Sequence, residues 1–358
     1  MYRLLIRSLM IAGLLVAVAG IFLFFDYQRF LKTPITTDNS SETFTVQSGD
    51  TVAQLIKKFP ASGILLAQRS PLADMLGPYY FRHLAGSSGK DSQIKVGEYR
   101  LEAGMKPIDF LNALVSGKTI TYKITFLEGW TFKQMRKHLK ENPHIEQTLT
   151  YVPDKEIMSA LGFQSMSCEG QFFPDTYRFS NHTKDSEILT RAHQQMRKNL
   201  DKAWQSRSDK TQLKSPYEML ILASIIEKET GIDTERRQVS GVFHRRLKKG
   251  MYLQTDPTVA YGMGDKYKGR IYRSDLRRDT PYNTYTRKGL PPTPIAMPGM
   301  ASLLAAGQPD SGESLYFVAD GKGGHAFSNT YKEHRKAVKA YRQLKNQAEQ
   351  AGQDEEDD

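Results

Sequence analysis

Eighteen consecutive residues near the N-terminus, Ser8 to Phe25 (SLMIAGLLVAVAGIFLFF), carry no charge. At about 1.5 Å of rise per residue, a helix of that length spans close to the hydrocarbon thickness of a bilayer. Arg3 and Arg7 precede the run, and Asp26, Arg29 and Lys32 follow it. Basic flanks stay in the cytoplasm, so residues 1–7 read as a cytoplasmic tail, 8–25 as a transmembrane helix, and the rest as lying outside. The rival is a cleaved signal peptide, which needs a shorter apolar core and a small-residue cleavage site. Bulky Phe22 to Tyr27 stands there instead, like an interfacial belt. A buried core helix fits poorly beside the polar stretch Thr33–Thr43. Residues 26–43 therefore read as a linker after a retained anchor.

The formal charge of +11 over 358 residues suits nucleic acid, an anionic membrane surface or an acidic polymer such as peptidoglycan. An outward-facing body disfavours nucleic acid. The single cysteine, Cys168, excludes an intramolecular disulfide and a multi-cysteine zinc site.

Patterning predicts an α+β fold class: an N-terminal transmembrane helix, a small α+β module over 44–126 and a larger α+β domain over 127–340. A polar, acidic tail follows over 341–358. In the small module, Phe44–Gln47 alternates as a strand and Thr51 can cap a helix through Val52, Leu55, Ile56 and Phe59. Ala85–Asp91 reads as a loop and Gly97–Leu101 as a strand. A helix from Pro107 ends at Gly117, and Ile120–Phe126 is a further strand. Beyond it, helices are expected at Trp130–Leu139, Ser186–Trp204, Pro216–Thr230 and Val239–Leu247. Residues 250–300 read mostly as loops, Leu315–Ala319 as a buried strand, and the chain from Tyr331 as a polar helix.

Pro216–Thr230 carries the first chemical signal. Its middle is apolar on every side, and two acids arrive at its C-terminal end. Leu222, Ile225 and Ile226 share a face with Glu229, whereas Glu227 lies almost opposite, over Leu220, Ala223 and Ser224. A carboxyl ending an apolar stripe, at the negative end of a helix dipole, should hold its proton longer than usual. A general acid working near neutral pH needs that property. From this helix alone, a solvated Glu-Lys-Glu end remains an open alternative.

Loops rich in Asn, Gln, Thr, Tyr and Gly follow: Met251–Gly262, Asp279–Tyr285, Gly289–Ile295 and Asp320–Phe327. Aromatic faces and amides are what a sugar-binding groove uses, although such residues also shape loops and cores. Gly321-Lys322-Gly323-Gly324 lacks the spacing of a phosphate loop. His244, His325 and His334 show no metal-ligand spacing, and a lone histidine is more often structural.

Two resemblances add to this. Phe44-Thr45-Val46-Gln47-Ser48-Gly49-Asp50-Thr51 resembles the opening of LysM modules, which bind N-acetylglucosamine-containing glycans, so the small module is expected to be LysM-like. Glu169–Tyr177, Ala223–Thr230, Leu253–Thr258, Tyr282–Tyr285, Gly289–Pro292 and Phe317–His325 together resemble the membrane-anchored endolytic murein transglycosylases (MltG, or YceG-like). The long stretch between Phe59 and Lys95 and the acidic tail depart from that pattern. The resemblance implies a lytic transglycosylase that cleaves the β-1,4 bond from N-acetylmuramic acid to N-acetylglucosamine and closes a 1,6-anhydro ring. It implies an inner-membrane, single-pass enzyme with its catalytic domain in the periplasm, acting on peptidoglycan beside synthases, with no metal, cofactor or nucleic acid. The catalytic Glu before a Ser or Thr carries over to Glu229 before Thr230. Gln254, Asp256, Asn283, Thr284 and Tyr285 are expected to hold substrate, with Glu227, Thr230 and Tyr261 in support. The alternatives are a hydrolysing muramidase and a non-catalytic wall-binding protein.

Retention of the anchor has a direct test. N-terminal sequencing of the membrane-bound protein should find the chain beginning ahead of Ser8. A mature chain beginning near Thr33 would mean a cleaved signal.

Overall fold

In the computed structural model, which describes residues 2–36, 43–65 and 71–354, the apolar run lies in one long helix, α1 (Tyr2–Lys32). Within Leu5–Lys32 an 18-residue window has a mean hydropathy of 2.6 and is not buried, compatible by length and composition with a single membrane anchor. The expected linker is corrected over its first part. Asp26–Lys32 continue the helix, and Phe30 and Ile35 are buried. Tyr27 packs edge to face and Phe30 tilted against Tyr80, whose hydroxyl donates to Asp26 at 3.0 Å. The charges at 26, 29 and 32 mark one wet face of an amphipathic helix rather than a linker. Residues 37–42 of the expected linker, and 355–358 of the acidic tail, lie outside the described residues.

The chain forms two compact units, one of residues 1–122 with 179–181, the other of 123–178 with 182–358. In the first, β1 (Thr43–Val46) pairs antiparallel with β2 (Gly97–Arg100). Between them run α2 (Val52–Lys58) and α3 (Pro71–Ser87), so the expected loop at 85–91 begins later, after Ser87. Thr51 and Gln54 close a capping box on α2. Helix α4 (Pro107–Ser116) ends at Gly117, whose φ of +70° suits glycine. Phe44, Phe59, Phe81 and Phe110 meet edge to face or tilted at the centre, with centroids 5.1–6.0 Å apart.

The second unit is mostly helical. β3 (Tyr122–Thr125) is followed by α5 (Phe132–Lys140), β4 (Ile145–Glu146) and α6 (Asp154–Ala160). β5 (Thr176–Phe179) pairs with β3, and β6 (Thr183–Lys184) runs parallel to β4. Then come α7 (Asp185–Gln205), α8 (Pro216–Glu229), α9 (Asp233–Lys248), α10 (Asp256–Met263), α11 (Arg273–Arg277) and α12 (Met300–Gly307). A hairpin of β7 (Tyr316–Ala319) and β8 (His325–Ser328) precedes α13 (Tyr331–Asp354). The strand expected to be buried at 315–319 is only half-buried, because the sheet has two strands and covers little.

Helix α8 is the axis of this unit. Ser215 caps it, Pro216 starts it, and Met219 through Ile226 are all buried. Each such apolar side chain contributes about 1.5–3 kcal/mol relative to exposure. Buried Ser224 accepts the Ile295 N–H at 3.0 Å, which fastens the 290s loop to the helix.

Gly170 has a φ of +77°, and a Cβ there would stand 2.5 Å from Cβ of Pro294. Gly170→Ala should therefore cost about 1–3 kcal/mol through overpacking, with a backbone penalty added. A melting curve of the full-length protein checks this, and an unchanged transition would refute the close approach.

Candidate active site

Glu229 is the last residue of α8, and its carboxyl follows closely on the buried run Met219–Ile226. Thr255, in the turn before α10, donates its hydroxyl to Oε1 of Glu229. Burial pushes the Glu229 carboxyl up to about 7. The Thr255 hydrogen bond opposes that rise, the charge of Asp256 adds to it, and His325 and Arg246 pull it down. Arg246 is buried, with its guanidinium held by the carbonyls of Leu253 and Leu315, each at 2.7 Å. A cation and a carboxylate thus both bear on one half-buried acid.

Each feature around Glu229 has a local cause. Gln254 sits at a φ of +51°, one of two such non-glycine residues described. Its amide N–H donates to Thr284 O, and the Thr255 N–H donates to Thr284 Oγ1 at 3.1 Å. Thr284 Oγ1 also bonds Thr258 Oγ1. This lock holds a strained turn so that Thr255 reaches Glu229. Tyr285 donates to Asp256 Oδ1 at 2.5 Å, and burial raises its hydroxyl pKa beyond the ordinary range.

Beside this cluster opens a cavity of about 1420 Å³. Asp256 lines it, together with Gln134, Glu169, Lys228, Tyr261 and Tyr267. Glu169 is buried, accepts from Phe132 N–H at 3.0 Å and from the Tyr261 hydroxyl at 3.1 Å, and is pushed up to about 7 by burial.

The YceG-like family pattern matches residues 44–340. The chain belongs to the YceG-like family. It is 31% identical to the endolytic murein transglycosylase of Bacillus subtilis over 348 residues, 92% of each chain. With the endolytic murein transglycosylase of Streptococcus pneumoniae D39 it shares 24% identity, over 88% of this chain and 61% of that one. The crystal structure of a YceG-like protein from Listeria monocytogenes matches with a TM-score of 0.51 and 28% identity, covering 83% of this chain and 99% of that one.

Within the YceG-like fold the residues expected from sequence divide. Glu229, Asp256 and Tyr285 meet at the site. Gln254 is exposed beside them. Asn283 and Thr284 are buried and spent on the loop itself. Asn283 Nδ2 donates to the carbonyls of Asp275, Leu276 and Arg278, and its Oδ1 accepts from Tyr285 N–H. They build the site and offer no free group to a sugar. Glu227 accepts the Gly299 N–H at 3.0 Å and so ties α8 to the start of α12. Thr230 caps α8 and takes the Ile232 N–H. Tyr261 serves Glu169. Thr255, Arg246 and Glu235 were not singled out by sequence, and His325 was weighed only as a lone histidine. Arg246 has no motif to find it by, whereas Thr255 lay inside a segment already noted.

With a carboxyl near 7 when folded and the ordinary 4.5 when unfolded, the unfolded chain gives up this proton first. Stability is then present below about pH 4.5 and shed as pH rises towards about 7. Glu229→Gln has no proton to lose. The variant should match the parent at about pH 4 and melt higher at about pH 8. Equal melting at the higher pH would show an unperturbed carboxyl.

Proposed function

We propose that this chain is a lytic transglycosylase that cuts peptidoglycan glycan strands internally, with Glu229 as its acid and then its base. The observation that carries the reading is a carboxyl kept protonated near neutrality at the end of a buried helix, held by Thr255, whose neighbour Asp256 lines an open cavity. Relatives named endolytic murein transglycosylase support the substrate. Protonated Glu229 donates to the oxygen leaving from N-acetylmuramic acid, and the C–O bond breaks. The carboxylate then takes the proton of the muramic C6 hydroxyl as its oxygen closes the 1,6-anhydro ring. One acid serves both steps because the nucleophile belongs to the substrate.

Gln254, Asp256 and Tyr285 are proposed to contact the sugars, and Glu227 to support the helix end. The 44–126 module is proposed to be LysM-like and to position the strand, supported by its strand–helix–helix–strand order. The single apolar helix fits a membrane anchor. Placement of the catalytic unit in the periplasm, and work beside peptidoglycan synthases, belong to this proposal.

One observation favours hydrolysis instead. Asp256 lies near enough for its charge to raise Glu229, and a muramidase usually needs a second carboxylate. Mass spectrometry of digested glycan strands separates the two, since anhydro ends mark the lyase and reducing ends the hydrolase.

Glu229→Gln should lower anhydro-product formation by about a hundredfold to ten-thousandfold or more, because both proton steps are lost. Glu227→Gln should be far milder, since its oxygen serves the Gly299 N–H. Activity of the parent should also fall above about pH 7, as Glu229 loses its proton. Near-normal turnover in Glu229→Gln would assign the wrong carboxylate.

A further inference from the structure

Two helices that line the cavity are joined through one buried acid that the reaction above does not use. Residues 131–134, at the start of α5, line the cavity, and so do Asp256, Ala260 and Tyr261 of α10. Glu169, in the loop before β5, lines it between them and is only 6% exposed. Its Oε1 accepts the Phe132 N–H at 3.0 Å, and its Oε2 accepts the Tyr261 hydroxyl at 3.1 Å. Phe132 is the first residue of α5, so its N–H has no partner within the helix, and an acid suits that end.

The clasp closes on itself. The Tyr261 ring packs edge to face on Tyr282 at 4.8 Å between centroids, and the Tyr282 hydroxyl shares a hydrogen bond with Thr293 Oγ1 at 2.9 Å. Pro294 comes next in the chain, and a Cβ on Gly170 would stand 2.5 Å from it. Gly170 directly follows Glu169, so the circuit of contacts returns to its start. Glu169 cannot shift without disturbing the aromatic pair or the 290s loop. A second link joins the same two sides: Lys133 of α5 pairs with Asp265, just after α10, at 2.5 Å. Those side chains are 73% and 86% exposed, and water screens such a pair, so it holds weakly. The buried link is the one able to fix the spacing.

We propose that Glu169 is a positioning residue for the glycan strand: with Phe132 and Tyr261 it sets the spacing of the α5 and α10 walls, and so how closely the cavity fits sugar rings. This rests on the cavity receiving the strand in the reaction proposed above. Its effect falls on binding rather than on the proton steps, because Thr255, which bonds Glu229, is held independently by Thr284.

The test uses the full-length protein in detergent, with two readouts. The first is kinetic. Glu169→Ala should raise KM on isolated glycan strands roughly tenfold, with kcat and the alkaline limb of its pH profile changed far less. Glu169→Gln should restore most of the loss, since its oxygen can take the Phe132 N–H and its amide can donate to the Tyr261 oxygen. Tyr261→Phe should raise KM in the same direction, and serves if Glu169→Ala does not fold. Lys133→Ala should move KM less than Tyr261→Phe. The second readout needs no substrate: the distance between nitroxide labels carried on Lys133→Cys and Asp265→Cys. The native Cys168 is buried, with its thiol pushed up to about 12, so it takes label poorly. The distance should widen or spread in Glu169→Ala and stay narrow in Glu169→Gln. An unchanged distance in both Glu169→Ala and Tyr261→Phe would overturn the proposal. An equal rise of KM in Glu169→Gln and Glu169→Ala at an unchanged distance would overturn it too, and would make Glu169 a direct sugar contact. If the parent cleaves no strands, the transglycosylase reading fails, and the label distance still decides whether Glu169 sets the walls.

Discussion

Water is kept from the flanks of α8, and the rest of the site follows from that. A helix buried from Met219 to Ile226 can end in a carboxyl only if the carboxyl is protonated or partnered. Glu229 does both in part: burial holds its proton to about pH 7, and Thr255 donates to it. Glu227 meets the same demand by taking a backbone N–H from the start of α12. Two acids two residues apart therefore have different fates. One is satisfied by a backbone N–H, and the other keeps its proton to about pH 7.

The turn at Gln254–Asp256 shows how such a site is held. Non-glycine residues rarely adopt positive φ, and Gln254 does so where Thr284 grips the backbone on both sides. Asn283 in turn binds three carbonyls of the preceding turn. The rigidity lies in these buried polar contacts, each saturated within a few residues of chain. Side chains so committed have nothing left for a ligand.

Reading the sequence went furthest where the signal was local. The apolar run of α8, Pro216 at its start, and the shared face of Ile225, Ile226 and Glu229 are all contained in fifteen consecutive residues. Thr51 and Gly117 likewise declare their helix ends on their own. Partnerships across the chain were not legible. His325 looked like a lone histidine because Glu235 is 90 positions away. Asn283 and Thr284 looked like sugar ligands because their composition fits one, and composition does not say which way a side chain turns. Asp26, Arg29 and Lys32 suggested an end to the first helix, whereas Tyr27 and Phe30 needed Tyr80 to reveal a packed face.

That continuity of α1 has a mechanical meaning. The same helix that carries the exposed apolar stretch also buries Phe30 in the first unit's core, with no break described between the two. As an anchor it is a stiff post and not a tether. Each residue added just ahead of Asp26, between the apolar stretch and the packed face, would lift that unit by about 1.5 Å and swing it by about 100° around the post. Spacing above the bilayer and the direction the unit faces would change together. An insertion of seven residues would nearly restore the heading while raising the unit by about 10 Å. Length polymorphism in this short segment is therefore a matter of aim as much as of reach.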